Sequence, residues 1–157
     1  IHVLETGSKQ EASSKQFRDK ILNKIFLFDK ITVAEIMIPM KKVKFIEPSK
    51  KIIDAKEIIK NTGYSRLPVY DSINNSIKGV LHAFYLLDEK ENNPIYDYID
   101  KCFFVDKEYL VSKLLDDLKG AKLSMAIVGG PDNPMGIVTI EDILEEVLGE
   151  IEDEHDT

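Results

Sequence analysis

The chain has 157 residues, which is enough for one ordinary domain or two very small ones. Its hydrophobic fraction of 43% and charged fraction of 31% are typical of a globular protein. The 21 basic and 28 acidic residues give a net charge of −7, which argues against nucleic acid or an anionic membrane surface as the main partner. No signal peptide is recognisable, and no apolar run approaches the roughly 20 residues that span a bilayer.

The N-terminal part is predicted to be a mobile leader followed by a helix. Residues 1–15 are polar and show no periodicity, which predicts disorder. Apolar residues then recur at helical spacing at Phe17, Ile21, Ile25 and Phe28.

The remaining sequence contains one pattern of elements twice, each copy predicted as β-α-β-β-α. Ser65 corresponds to Ser124, and Gly79 corresponds to Gly136. A short helix, opened by a capping box at 32–35 and ended by Pro39, precedes the first copy. The first copy has a strand at 43–46, a helix capped by Ser49 and ended by Gly63, strands at 67–70 and 77–81, and a short helix at 83–87. The second copy has a strand at 103–105, a helix at 111–119, strands at 125–128 and 135–138, and a helix from 140 that stops at Gly149. Two such copies usually pack about a pseudo-two-fold axis and form clefts in which ligands bind.

Patterns that would carry catalysis or a metal are weak. The sequence Gly129-Gly130-Pro131 precedes no helix and lacks Gly-Lys-Ser/Thr, which favours a hairpin turn over a phosphate loop. The histidines His2, His82 and His155 have no ligand spacing. Cys102, the single cysteine, is predicted to be a buried inert thiol. The acidic C-terminal stretch lacks calcium-loop spacing and is predicted to be a solvated helix face. The sequence therefore predicts no enzymatic activity.

The segment Thr139-Ile-Glu-Asp142 supports two interpretations. In the first, Thr139 caps the last helix and Asp142 reaches back to the start of the cap. In the second, the free N–H groups at the helix start bind a phosphate, while the carboxylate accepts hydrogen bonds from both hydroxyls of a ribose.

Four motifs resemble paired CBS (cystathionine β-synthase) domains of the hemolysin C/CorC family, which is linked to magnesium and cobalt efflux. They are Gly63-Tyr-Ser-Arg-Leu-Pro-Val-Tyr-Asp71, Gly79-Val-Leu-His82, Met125-Ala-Ile-Val128 and the segment 136–156, which ends in Gly-Glu-Ile-Glu-Asp-Glu-His-Asp. The resemblance covers nearly the whole chain from Phe17. It implies an α/β fold of tandem CBS domains, two β-α-β-β-α repeats related by a pseudo-two-fold axis. The expected organisation is a disordered leader at 1–15, an N-terminal helix and linker at 16–40, a first CBS repeat at 41–90, and a second with an acidic helix at 91–157.

The resemblance implies a regulatory role without catalysis. CBS pairs of this family bind an adenine nucleotide, here ATP or AMP with or without Mg²⁺, in the cleft between repeats, and they form homodimers. The expected place is the cytoplasmic face of a membrane, joined to the transmembrane domain of a parent ion-transport protein, with no nucleic-acid partner. Three alternatives to this role are a structural dimerisation module without a nucleotide, a membrane-lysing toxin and an enzyme. Among these three alternatives, the sequence favours the structural module.

The resemblance also assigns site residues. Thr139 would contact phosphate or ribose, Asp142 would hold the ribose hydroxyls, and Arg66 would bind phosphate. The other expected nucleotide-binding residues are Ile38, Pro39, Ser65, Leu67, Pro68, Leu123, Ser124 and Met125.

The chain departs from the family at two places. The family commonly has Met-Thr-Pro-Arg where this chain has Met37-Ile38-Pro39-Met40, so a hydroxyl and an arginine are lost near the phosphates. In the first repeat, His82 and Tyr85 stand where Thr139 and Asp142 stand in the second. Because no carboxylate stands there, we expect at most one nucleotide per chain.

Overall fold

The computed structural model describes the backbone of residues 2–156 and the side chains of residues 9–149. The chain divides into two compact units, and neither coincides with one sequence repeat. The helical unit contains residues 1–36, 108–124 and 139–157, and the sheet unit contains residues 37–107 and 125–138. The fold is mixed α/β, as the sequence predicts.

Two β-sheets form the sheet unit. One is an antiparallel pair of β2 (Arg66–Asp71) and β3 (Ser76–His82). The other has the order β1-β6-β5-β4, with β1 at Ile38–Pro39, β4 at Phe103–Val105, β5 at Met125–Gly130 and β6 at Asn133–Thr139. β1 runs antiparallel to β6, whereas β4 runs parallel to β5.

The strand pairings repeat as the sequence does. Ile46 bridges Val69 in parallel, just as Phe104 pairs with Ile127 in the second copy. The predicted strand at 43–46 is nevertheless wrong, because only Ile46 enters the ladder. A 3₁₀ turn at Met40–Lys42 occupies the preceding residues, and Pro48 follows two residues later without an N–H to donate.

Helix α3 (Ile52–Thr62) and short 3₁₀ helices at Ala83–Leu86 and Ile95–Tyr98 complete the sheet unit. Its interior has two apolar clusters. The first contains Ile46, Ile52, Ala55, Leu67, Val69, Leu81, Leu86 and Ile95. The second contains Val43, Ile77, Ile127 and Ile137.

The helical unit has α1 (His2–Phe28), α2 (Val33–Ile36) and α4 (Val111–Ala121), which all pack against α5 (Ile140–Asp156). Two backbone hydrogen bonds join the start of α2 to the start of α4. The Val33 N–H donates to the Tyr109 carbonyl at 2.8 Å, and the Val111 N–H donates to the Ile31 carbonyl at 2.9 Å. Among the side chains of this unit that the structure describes, six apolar ones are buried: Phe28, Val33, Val111, Leu114, Leu118 and Ile143.

The first helix begins well before the predicted start. We predicted a disordered leader at 1–15, whereas the helix runs from His2. Residues 9–16 are exposed on every side, so no apolar periodicity marks them. The segment is rich in Lys, Gln, Glu and Ala, whose high intrinsic helix propensity supports a helix that buries nothing.

Three helix boundaries also differ from the prediction. Helix α3 is preceded by Lys51, not capped by Ser49, and the Lys51 N–H donates to the Asp54 carboxylate at 2.9 Å. Helix α4 passes the predicted end at 119 and ends at Lys122 in the left-handed conformation. Helix α5 continues through Gly149, because a glycine within a helix costs only about 1 kcal/mol and does not by itself end it. The side chains of the acidic tail from residue 150 lie outside the described residues.

Other boundaries are confirmed. Gly63 ends α3 with a φ of 73°, and α2 opens with Thr32 N–H donating to the Glu35 carboxylate at 2.8 Å. β4 lies at the predicted residues. The hairpin turn after Gly130 is tighter than predicted, because β5 and β6 extend until only Pro131 and Asp132 separate them.

Candidate functional site

The start of α5 carries a reciprocal capping box. The Asp142 N–H donates to the Thr139 hydroxyl at 3.1 Å, and the Thr139 N–H donates to the Asp142 carboxylate at 3.3 Å. A carboxylate has about four acceptor positions, and the cap uses one of them. The Asp142 side chain can therefore cap the helix and still accept hydrogen bonds from a bound diol.

Ser124 lies at the same helix start. Its carbonyl accepts a hydrogen bond from the N–H of Ile140, the first residue of α5, at 2.9 Å. The preceding residue, Leu123, ends α4 by donating its N–H to Leu118 at 2.8 Å. The helical unit thus brings Ser124, Thr139 and Asp142 together.

The expected site residues Ile38 and Pro39 lie in the sheet unit as β1. Ile38 pairs with Ile137, and Pro39 pairs with Gly136. A Cβ on Gly136 would lie closer than 3.0 Å to the Ile38 carbonyl oxygen and the Met37 sulfur. Only a glycine at position 136 therefore lets the Ile38 backbone cross this close to β6.

The first repeat has the same crossing at Gly79. There a Cβ would meet the carbonyl oxygen of Asp100 and the side chain of Ile99, and Asp100 exchanges two backbone hydrogen bonds of 2.9 Å with Val80. Asp100 is therefore the structural counterpart of Ile38.

The remaining predicted residues lie on or next to strands of the sheet unit. Met125 is the first residue of β5. Arg66 is the first residue of β2 and Ser65 directly precedes it, and an Arg66 Nη1–H donates to the Ser65 hydroxyl at 3.3 Å. Leu67 and Pro68 follow and are buried, with Leu67 in the first apolar cluster.

Two residues that the sequence did not single out as a pair meet beside Arg66. His82 is the cross-strand partner of Arg66, and its Nε2 lies 3.3 Å from the Asp100 carboxylate. Burial lowers the pKa of His82, the positive charge of Arg66 lowers it further, and the Asp100 carboxylate opposes both. No sequence signal pairs Asp100 with His82, because residue spacing does not encode the backbone crossing that brings them together.

Cys102 is half-buried, and this burial raises the pKa of its thiol to about 12. The side chain is therefore a neutral thiol at physiological pH, as the sequence predicts for an inert cysteine. Among residues 9–149, no three His, Cys, Asp or Glu side chains are grouped so that they could hold a metal ion. No helix within the described part of the chain is long and apolar enough to span a bilayer.

The chain matches the CBS domain family twice, at residues 33–92 and 95–149. Two relatives are UPF0053 protein YhdT of Bacillus subtilis, at 32% identity over 99% of this chain and 36% of the relative, and the magnesium and cobalt efflux protein CorC of Pasteurella multocida, at 29% identity over 99% of this chain and 53% of the relative. The chain thus spans about a third to a half of these relatives.

The structural comparison agrees. The CBS domain of a bacterial CNNM/CorC family Mg²⁺ transporter, solved in complex with ATP, superposes with a TM-score of 0.77 at 29% identity. The match covers 84% of this chain and 97% of the other.

Proposed function

Because the chain belongs to the CBS-domain family, as a pair of CBS domains of the hemolysin C/CorC family, we propose that it binds an adenine nucleotide, ATP or AMP, and regulates a membrane ion-transport protein. In this proposal the chain is the cytoplasmic, non-catalytic part of that protein. Two observations support it: a similar CBS domain was solved with ATP, and a relative is named for magnesium and cobalt efflux.

The observation that carries the proposal is the reciprocal contact of Thr139 and Asp142 at the start of α5. A ribose presents two adjacent hydroxyl donors, and Asp142 has acceptor positions left for both. The Thr139 hydroxyl and the first N–H groups of the helix suit a phosphate, because the positive end of the helix dipole favours an anion.

Arg66 is the proposed phosphate partner. Its guanidinium is permanently charged and offers a planar fork of donors that matches phosphate oxygens. We further assign to the site Ile38, Pro39, Ser65, Leu67, Pro68, Ser124 and Met125. Leu67 and Pro68 are buried in β2, so they would contribute backbone groups and shape rather than exposed side chains.

Mg²⁺ would enter with the nucleotide. The ion usually keeps several waters and binds through substrate phosphates with one or two carboxylates. Residues 9–149 contain no group of three His, Cys, Asp or Glu side chains that could hold the ion, so we propose that nucleotide phosphates and waters supply most of its coordination.

Ligand binding would regulate the parent protein through linkage. A nucleotide that binds one arrangement of the module more tightly than another shifts the population towards the first. The attached transmembrane domain would respond to that shift, and by reciprocity its state would alter the affinity for nucleotide.

A thermal-unfolding series tests the proposal. A ligand present at about one hundred times its Kd stabilises the folded state by about 2.7 kcal/mol, which raises the melting temperature by several degrees. We expect this rise with millimolar ATP or AMP and a smaller one with inorganic phosphate at the same ionic strength. An unchanged melting temperature in both nucleotides, with and without Mg²⁺, would contradict the proposal.

A second candidate function is a structural dimerisation module, and exposed apolar side chains favour it. Phe84 is 78% exposed, Leu87 65% and Tyr96 76%. Phe84 and Tyr96 lie on short 3₁₀ helices of the sheet unit, and Leu87 directly follows the first of these helices. Apolar side chains grouped on a surface often mark an interface. We propose that a second copy of the chain covers them whether or not a nucleotide binds.

Light scattering of the wild type and a Phe84→Ser, Leu87→Ser double variant tests this dimer. We expect a dimeric mass for the wild type and a monomeric mass for the variant. A monomeric wild type, or a dimer that survives both substitutions, would contradict this interface.

A further inference from the structure

Arg66, His82, Tyr85 and Asp100 form a compact group in the sheet unit, here called the Arg66 cluster. Arg66 and His82 are opposite each other on β2 and β3. The His82 Nε2 lies 3.3 Å from the Asp100 carboxylate, and its ring centroid lies 5.3 Å from that of Tyr85. Two opposite charges therefore face one imidazole from different elements.

The Arg66 guanidinium has a hydrogen-bond donor without an acceptor among the described residues. Its Nε is buried and makes no hydrogen bond within the described part of the chain, while Nη1 reaches only the Ser65 hydroxyl. A buried donor without an acceptor is costly, and a guanidinium satisfies it best by a bidentate contact with an oxyanion. The unpaired Nε leaves the cluster with a buried donor that an oxyanion could satisfy.

The charge state of His82 depends on the balance between its neighbours. Arg66 faces it from β2 and disfavours the imidazolium, while Asp100 faces it from the segment after Tyr98 and favours it. Tyr85, from the 3₁₀ helix at Ala83–Leu86, contributes a neutral ring edge. Burial, the largest cause, would still lower the pKa of His82, but an anion on Arg66 would offset the positive charge and leave the Asp100 carboxylate unopposed by another charge.

We propose that a phosphate-type oxyanion bound to Arg66 and a proton bound to His82 stabilise each other, so that the Arg66 cluster takes up the two together. The inference rests on the proposed function for the source of the anion, which is the phosphate of the bound nucleotide. Because binding free energies are reciprocal, the anion then binds more tightly at pH 6 than its own charge would predict.

An NMR titration of the His82 ring tests the coupling directly. Sulfate is a suitable probe, because it stays a dianion throughout the titration range of histidine. The ring signals are followed from about pH 5 to about pH 8 in sulfate and in chloride at equal ionic strength, and His82→Gln assigns the His82 signal. We expect the pKa of His82 to be higher in sulfate.

Two variants identify the cause of the shift. In Arg66→Gln the pKa of His82 should no longer respond to sulfate. Lys78→Gln is the matched control, since it removes the same charge from an exposed position of β3 and should keep the response. No difference between sulfate and chloride in the wild type, or an equal response in Arg66→Gln, would overturn the proposal.

Calorimetry with AMP separates this inference from the proposed function. Titrations in two buffers of different ionisation enthalpy give the number of protons taken up on binding. The AMP phosphate itself titrates at about pH 6 and contributes equally to both proteins, so the difference between them reports on His82. We expect more proton uptake near pH 6.5 in the wild type than in His82→Gln. AMP binding with equal proton uptake in both would overturn the coupling but leave nucleotide binding intact. A sulfate effect without AMP binding would support the coupling and contradict the nucleotide.

Discussion

At the scale of single residues, two glycines allow separate stretches of backbone to cross. The backbone of Asp100 crosses Gly79 in the first repeat, and the backbone of Ile38 crosses Gly136 in the second. The crossing places Ile38 in register with Ile137 and brings Asp100 to His82. Both glycines are needed for close approach of the backbone and not for a turn.

The substitution Gly136→Ala should destabilise the protein by about 1–3 kcal/mol, as is typical of overpacking. The added methyl group would overlap the Ile38 carbonyl and the Met37 sulfur. Gly130→Ala is the matched control, because a Cβ there meets nothing within 4 Å and should change stability by less than about 0.5 kcal/mol. Urea unfolding measures both, and equal stability of the two variants would contradict the close crossing.

His82 should make stability depend on pH. Its folded-state pKa lies below its ordinary value of 6.5 because of burial and Arg66, so the unfolded chain binds the proton more readily. The contribution of neutral His82 to stability is therefore present above its unfolded-state pKa of 6.5 and is lost as pH falls from 6.5 through the lower folded-state pKa. Urea unfolding at several pH values should show a steeper loss in the wild type than in His82→Gln. Parallel curves would contradict the lowered pKa.

Sequence reasoning identified local residue contacts better than distant ones. The bonds between Thr139 and Asp142 are confirmed because the two residues are one helical turn apart. The contact of His82 with Asp100 depends on a backbone crossing, which spacing along the chain does not encode.

At the scale of elements, the helices that bury an apolar face could be predicted from the sequence, whereas several of the points at which elements begin and end could not. Both α3 and α4 were predicted, and each buries an apolar face. The polar start of α1 and the extension of α5 past Gly149 were missed, because propensity without burial leaves no periodic pattern. The strand predicted at 43–46 was wrong because an apolar run alone does not distinguish a strand from an extended segment with one bridge.

The end of α4 offers a stabilising substitution. Lys122 has a φ of 57°, a left-handed conformation that costs an L-residue about 1–2 kcal/mol and a glycine almost nothing. Because glycine also gains entropy in the unfolded chain, Lys122→Gly should gain a smaller amount, about 0.5–1 kcal/mol. Lys119→Gly, inside the last turn, should instead lose about 1 kcal/mol. Thermal unfolding distinguishes them, and a loss in Lys122→Gly would contradict the left-handed cap.

At the scale of the whole molecule, the two repeats exchange segments. β1 lies before the Ile46 bridge of the first repeat but pairs with β6 of the second, whereas Asp100 lies before β4 of the second repeat but bridges β3 of the first. The internal repeat predicted two copies of one fold, and the structural comparison confirms two CBS repeats. The exchange was not predictable, since it depends on which edge strand each linker reaches.

The exchange makes the two repeats chemically unequal. In the second repeat Ile38 occupies the crossing and Asp142 follows the strand, whereas in the first repeat Asp100 occupies the crossing and Tyr85 replaces the helix carboxylate. Only the second repeat has a carboxylate at the start of its helix that could hold a ribose. We therefore predict one nucleotide per chain, with its ribose at Asp142, and two equivalent sites in calorimetry would contradict this inequality.

The most direct test of nucleotide binding is calorimetric titration of the wild type, Asp142→Ala and Asp54→Ala with ATP and AMP, each with and without Mg²⁺. Asp54 is the matched control, because it accepts a hydrogen bond at the start of α3 as Asp142 does at the start of α5. We expect one bound nucleotide per chain for the wild type and Asp54→Ala, and none for Asp142→Ala. No binding to the wild type, or equal binding to both variants, would contradict it and leave Thr139 and Asp142 as a helix cap.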